Sequence, residues 1–174
     1  MSAQSPARRG PVHTARRVFY RAFYGMPASW RRRAARTLQP RYIIGAVIMV
    51  RQSTPDGERL LLLRQPPGNG WGVPGGLMDR GEEPIQCAAR ELGEEAGIKL
   101  DVSELRPANP NAIIHTKGRW VDCVFEAEVP ADVTPAVDGA EVYEAVFHPI
   151  DNLPPLAVPT ARLLAHYGIG PYAK

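Results

Sequence analysis

GLMDRGEEPIQCAARELGEEAGI, the stretch from Gly76 to Ile98, places Glu91, Glu94 and Glu95 on one helix directly after a glycine-rich turn that opens at Gly75. Carboxylates at i, i+3 and i+4 are neighbours on a helix surface, and they repel one another unless a cation, or Arg90, sits among them. Such a row is suited to holding a hard metal ion.

The helix can be checked against its own periodicity. Ile85, Ala88, Ala89, Leu92 and Ala96 recur with the spacing of a core-facing stripe, and the three glutamates occupy a separate arc beside it. Pro84 suits the first helical turn, and Glu82 and Glu83 stand at the positive end of the dipole. Gly97 is placed to end the helix in the left-handed conformation.

These residues resemble the signature of the Nudix (MutT-like) hydrolase family, G-x5-E-x7-R-E-U-x-E-E-x-G-U, in which U is aliphatic. Gly76, Glu82, Arg90-Glu91-Leu92, Glu94-Glu95 and Gly97-Ile98 occupy every specified position. The ordinary meaning of several acidic residues in a helix is a solvated face. Seven fixed residues and two aliphatic ones in register, however, match by chance on the order of once in ten million. The lead-in Trp71-Gly72-Val73-Pro74-Gly75-Gly76 also resembles the family's W-x-x-P-G-G approach to the metal-binding turn.

The resemblance implies an α/β/α Nudix sandwich with a mixed β-sheet, and a pyrophosphohydrolase. It makes Glu91 and Glu95 direct metal ligands, Glu94 a ligand or base, and the carbonyl of Gly75 a further ligand. Arg90 lies among the glutamates and holds their orientation, and Glu82 has a stabilising or metal-associated part. A site of oxygen donors suits Mg2+, with Mn2+ as the alternative, better than zinc. The general base stays open between Glu94, Glu141 and Glu144. Arg64 and Arg51 could reach phosphate, and Trp120 and Tyr143 could stack on a base, although solvated arginines and packed aromatics are the commoner uses of such residues. His115 has no obvious partner in the sequence.

The chemistry follows from what a phosphoanhydride requires. A site must neutralise a polyanion, orient a water and accept its proton. Near Ile113 to Thr116 neither the proline expected of ADP-ribose enzymes nor the tyrosine expected of diadenosine polyphosphate enzymes is present. By elimination the expected substrate is a nucleoside diphosphate linked to a further group, most simply a nucleoside triphosphate. Two alternatives are a nucleotide-sensing regulator with a nucleic-acid-binding arm, and a membrane-associated hydrolase of a lipid-linked diphosphate.

Charge divides the chain. Residues 1–41 contain ten arginines and no Asp or Glu, whereas residues 42–174 carry eleven basic residues against eighteen acidic ones, a net of about −7. A basic N-terminal arm over residues 1–41, helical or partly disordered, is therefore expected ahead of a Nudix domain over 42–174. In the arm, Val18, Phe19 and Phe23 line one side of a helix ending at Gly25, and a second helix from Ser29 carries Trp30 and Leu38. The arm could pack on its own core, support a homodimer, or bind nucleic acid or an anionic membrane. A transit peptide has a similar composition. With 174 residues, 44% of them hydrophobic, the chain can bury a core. Two distant cysteines, Cys87 and Cys123, offer no disulfide framework, and no apolar run is long enough to span a bilayer, so a cytoplasmic protein with free thiols is expected.

Elsewhere the pattern predicts strands at Tyr42–Val50, Arg59–Arg64, Lys99–Leu105, Ala112–Thr116, Val121–Val129 and Glu141–Ile150, with a hairpin at Thr54–Gly57. A last helix is expected around Pro159–His166. From pattern alone this is a mixed α and β chain.

Overall fold

The computed structural model describes residues 11–38, 40–137, 139 and 141–173. The chain divides into two compact units, Met1–Arg41 and Tyr42–Lys174.

The first unit carries α1 (Pro11–Gly25) and α2 (Ala28–Leu38), separated at Met26 and Pro27. Aromatic residues one turn apart meet along α1, Phe19 against Phe23 at 6.1 Å and Tyr20 against Tyr24 at 6.3 Å between ring centroids. Arg8, Arg9 and the side chain of Leu38, which entered the reading of the arm, lie outside the described residues.

The second unit begins with β1 (Ile43–Thr54) and β2 (Gly57–Arg64), followed by the short β3 (Trp71–Gly72) and β4 (Gly75–Leu77). Then come α3 (Pro84–Ala96), a 3-10 turn at Val102–Glu104, β5 (Arg106–His115), β6 (Trp120–Val129), β7 (Glu144–Pro149) and α4 (Val158–Ala165). Among the described residues these seven strands form one mixed sheet in the order β3-β2-β1-β6-β5, with β4 paired to β1 and β7 to β2. β1 and β6 run parallel, and the other pairs are antiparallel.

β1 is the central strand, and its alternation separates two cores. Ala46, Ile48 and Val50 join Leu61, Leu63 and Phe125 against Cys87, Ala88, Leu92 and Ala96 of α3. Met49, Leu60, Leu62 and Val124 face Leu163 and Leu164 of α4. A strand covered on both faces is apolar at nearly every position, which accounts for the run from Gly45 to Val50, whereas Tyr42, Ile43 and Ile44 at its start are exposed. The result is a helix on each side of the sheet, an α/β/α sandwich.

α3 keeps the ends expected of it. Pro84 opens the helix, Gln86 Oε1 accepts the Glu83 N–H at 2.9 Å, and Gly97 at φ 67° closes it, its N–H reaching the Gly93 carbonyl. Ile85 and Ala89 are only partly buried, whereas Cys87 is fully buried and belongs to the core stripe.

The expected strand over Lys99–Leu105 is absent. Asp101 Oδ1 accepts the Ser103 N–H at 2.9 Å and the Asp101 N–H donates to Glu104, so a local cap closes a 3-10 turn where alternation suggested a strand. Pairing begins at Arg106 and shifts register between Pro107 and Ala112.

Candidate active site

β4 brings Gly75 and Gly76 against β1 and, across it, against α3. A Cβ on Gly45 would lie 2.8 Å from the Gly76 carbonyl oxygen, and a Cβ on Gly76 would lie 2.2 Å from Glu91 Oε1. The turn thus rides directly over the Glu91 carboxylate because no side chain intervenes. Gly76→Ala is expected to push Glu91 off this position and to destabilise the domain by about 1–3 kcal/mol, which thermal denaturation would detect. A melting temperature equal to that of the parent would mean that Glu91 moves aside freely.

Glu95 is 7% exposed and is the only buried carboxylate among the described residues. Its Oε2 accepts the Gly75 N–H at 2.8 Å, and its Oε1 accepts a hydrogen bond from the Gln65 side-chain amide. Burial pushes its pKa up to about 7, against the pull of the Gly75 hydrogen bond, and the charges of Glu91 and Glu141 push it further up. Glu141 is therefore near enough to be felt at Glu95. Burial also raises Glu91.

A carboxyl raised in the folded state binds its proton more tightly there than in the unfolded chain. Folding stability consequently falls as pH rises from about 4.5 to about 7, by roughly 3 kcal/mol for Glu95 in the metal-free protein. Glu82 acts in the opposite sense: the Arg90 hydrogen bonds hold it down to about 2, so its contribution is present above about 4.5 and is lost as the pH falls from there toward about 2. Thermal melts in chelator between pH 5 and 8 should show a decline for the parent and a flatter profile for Glu95→Gln. Identical slopes would contradict the burial of a charged Glu95.

Arg90 is the hub of the remaining carboxylates. Its Nε donates to Glu82 Oε1 at 2.9 Å, and its Nη1 donates to Glu91 Oε1 at 2.8 Å and Glu94 Oε2 at 2.9 Å. Nη2 donates to Glu82 Oε2 and to the Leu77 carbonyl, each at 3.1 Å. Glu82 precedes α3 rather than lying on it, and it reaches the helix mainly through this arginine. These bonds raise the guanidinium's pKa, Glu82 being the main cause.

Among the described residues no three acidic, His or Cys side chains converge on one point, because Arg90 draws Glu91 and Glu94 while Gly75 and Gln65 hold Glu95. The donor set nevertheless suits a hard divalent cation. Every donor is oxygen, the carboxylates share one helical face, one of them is desolvated, and Gly76 keeps the space over Glu91 free of a side chain.

Beside the same turn lies a hollow of about 340 Å3, lined by Gly75, Gly76, Leu77, Val47, Trp120 and Asp122 among others. Trp120 stacks on His115 with centroids 4.5 Å apart. Asp122 Oδ2 accepts from His115 Nε2 at 2.8 Å and from Trp120 Nε1 at 3.3 Å. His115 is therefore not partnerless, as its sequence context suggested. Its partners come from β6, and only the β5–β6 register, with His115 opposite Trp120, brings them together.

The other expected residues lie farther along the sheet. Arg64 and Glu144 face each other across β2 and β7 with Nη2 and Oε1 2.5 Å apart, so a candidate phosphate ligand and a candidate base hold one another. Arg51 is paired with Glu58 at 3.0 Å, and Tyr143 is 49% exposed. Gln65 contacts Glu95 from thirty residues away, and nothing in its local sequence signals that role.

A family model described as NUDIX domain matches residues 41–167. The chain is 30% identical over 118 residues to a Mycobacterium tuberculosis protein named putative 8-oxo-dGTP diphosphatase 3, a match covering 63% of this chain and 54% of that relative. It thus spans about half the length of that relative. Among solved structures, a MutT NUDIX hydrolase from Burkholderia pseudomallei aligns with a TM-score of 0.56 at 26% identity, covering 73% of this chain and 98% of that one. The NUDIX domain of Shewanella oneidensis NrtR, complexed with ADP ribose, aligns with a TM-score of 0.62 over 82% and 97% of the two chains. At 16% identity it shows likeness of fold alone.

Proposed function

The chain belongs to the NUDIX domain family, and we propose that it is a Mg2+-dependent hydrolase of a phosphoanhydride bond in a nucleoside diphosphate linked to a further group, most simply a nucleoside triphosphate. One observation carries this reading: the carboxylate row of α3 and the hollow holding Trp120 and Asp122 meet at the same Gly75–Gly76 turn. A hollow of about 340 Å3 falls in the usual range for small-molecule sites, and its place beside the carboxylates suits a ligand with a flat base at one end and phosphates at the other.

Glu91, Glu94, Glu95 and the carbonyl of Gly75 would hold the ion. Bound there, Mg2+ would offset phosphate charge and make a water more acidic. This chain's own residues position and exchange the rest. Glu94, whose side chain is 58% exposed, takes the proton of the attacking water. Arg90 keeps Glu91 and Glu94 aligned along the helix face without touching substrate. Trp120 offers a flat surface to the base, and Asp122 accepts a hydrogen bond from an N–H on the base edge. Arg64, which does not line the hollow, would reach a phosphate only by releasing Glu144.

The test is a screen with Mg2+ over nucleoside triphosphates, nucleotide sugars, ADP-ribose and dinucleoside polyphosphates, read as phosphate released from the products by added pyrophosphatase for the triphosphates and by alkaline phosphatase for the others. Release from a nucleoside triphosphate is the expected result. No release from any of them, together with a melting temperature raised by nucleotide, would replace hydrolysis with nucleotide sensing.

A further inference from the structure

We propose that α1 and α2 form an interfacial anchor that lies in the headgroup layer of an anionic phospholipid bilayer. The starting point is an unmet charge. Residues 1–41 contain ten arginines and no acid, so nothing within that segment can neutralise them. Among the described residues, none of Arg16, Arg17, Arg21, Arg31, Arg32, Arg33 and Arg36 has a carboxylate partner. An array of guanidinium groups calls for a phosphate-rich surface, to which each can donate two parallel hydrogen bonds.

The apolar side of the helices decides which surface. At 3.6 residues per turn, Val18, Phe19, Ala22 and Phe23 share one side of α1, and Arg17 and Arg21 lie on the other. Val18 and Phe19 are 63% and 62% exposed, and Trp30 on α2 is 65% exposed. Ser29, Arg32, Arg33 and Arg36 group together beside Trp30. A nucleic acid would satisfy the arginines and leave Val18, Phe19 and Trp30 in water. A bilayer interface takes both, with phosphates for the arginines and acyl-chain depth for the apolar side.

Tyr20, Tyr24 and Trp30 add side chains with an apolar body and a polar edge, the kind that settles at headgroup depth. α1 has 15 residues and α2 has 11, and among the described residues no helix is long and apolar enough to cross a membrane. The arm therefore lies along the surface, with the charge dependence that anionic lipid imposes. This inference is independent of what the NUDIX domain hydrolyses.

Co-sedimentation of the full chain with vesicles tests it. Vesicles of phosphatidylcholine and phosphatidylglycerol at about three to one should bind the chain at least about tenfold better than phosphatidylcholine alone, and added salt should weaken binding. The double variant Phe19→Gln, Trp30→Gln keeps every arginine and the net charge and should lose about tenfold or more of that binding. Its unchanged melting curve would show that the NUDIX domain stays folded. Undiminished vesicle binding by the double variant, matched by equal binding of both proteins to polyuridylate, would make the arm a general polyanion or RNA site and overturn the anchor. So would a parent that ignores vesicles and sediments as a dimer that the double variant dissociates.

Discussion

Glu95→Gln is expected to lower kcat/KM by about a hundredfold or more while leaving the fold intact. Glu95 is the one carboxylate of the row that is buried, fixed by a backbone N–H and by Gln65. Its amide analogue has nearly the same shape, so one oxygen still accepts the Gly75 N–H. The change removes a desolvated charge that weakens the metal-free protein above pH 7, and the variant should therefore melt higher than the parent at pH 8 in chelator. Added Mg2+ should then stabilise the parent more than the variant, since only the parent keeps the full anionic set. Phosphate release at the parental rate would remove the catalytic assignment, and equal stabilisation by Mg2+ would remove Glu95 from the ligand set.

Arg90→Ala should produce the largest loss of stability of any single substitution on the exposed side of α3, about 5–10 °C in melting temperature. Five hydrogen bonds to oxygen disappear together, and Glu82, Glu91 and Glu94 are left close to one another without a counter-charge. Glu94 is more than half exposed, so water offsets part of that repulsion. Glu82 and Glu91 are 13% and 14% exposed and receive less relief. Arg90→Lys should recover only part of the loss, because an ammonium cannot span three carboxylates in a fixed fork. Mg2+ should narrow the gap between Arg90→Ala and the parent by supplying the missing positive charge. A variant melting with the parent would show that the network contributes nothing to folding.

Both predictions start from residues that were legible without coordinates. The spacing of Glu91, Glu94 and Glu95, the Pro84 start and the Gly97 stop are encoded within about four residues of each position, which is the range over which helical geometry operates. Lys99–Leu105 shows where local reading fails: its pattern suggested a strand, but the Asp101 side chain closes a turn on Ser103 and Glu104 instead. β3 and β4 span two and three residues, too few for any periodicity, although β4 positions the whole site.

The amino-acid sequence by itself determined the helix, the face bearing the carboxylates, the apolar run of the central strand and the opposed charges of residues 1–41 and 42–174. Only tertiary structure decided which carboxylate is buried, that Gln65 serves Glu95, that Glu144 is held by Arg64, and that His115, Trp120 and Asp122 form one group beside the Gly75–Gly76 turn. The division has a physical cause. Helix caps and periodic faces arise from neighbours along the chain, whereas burial and strand register depend on partners that come into contact only when the sheet assembles.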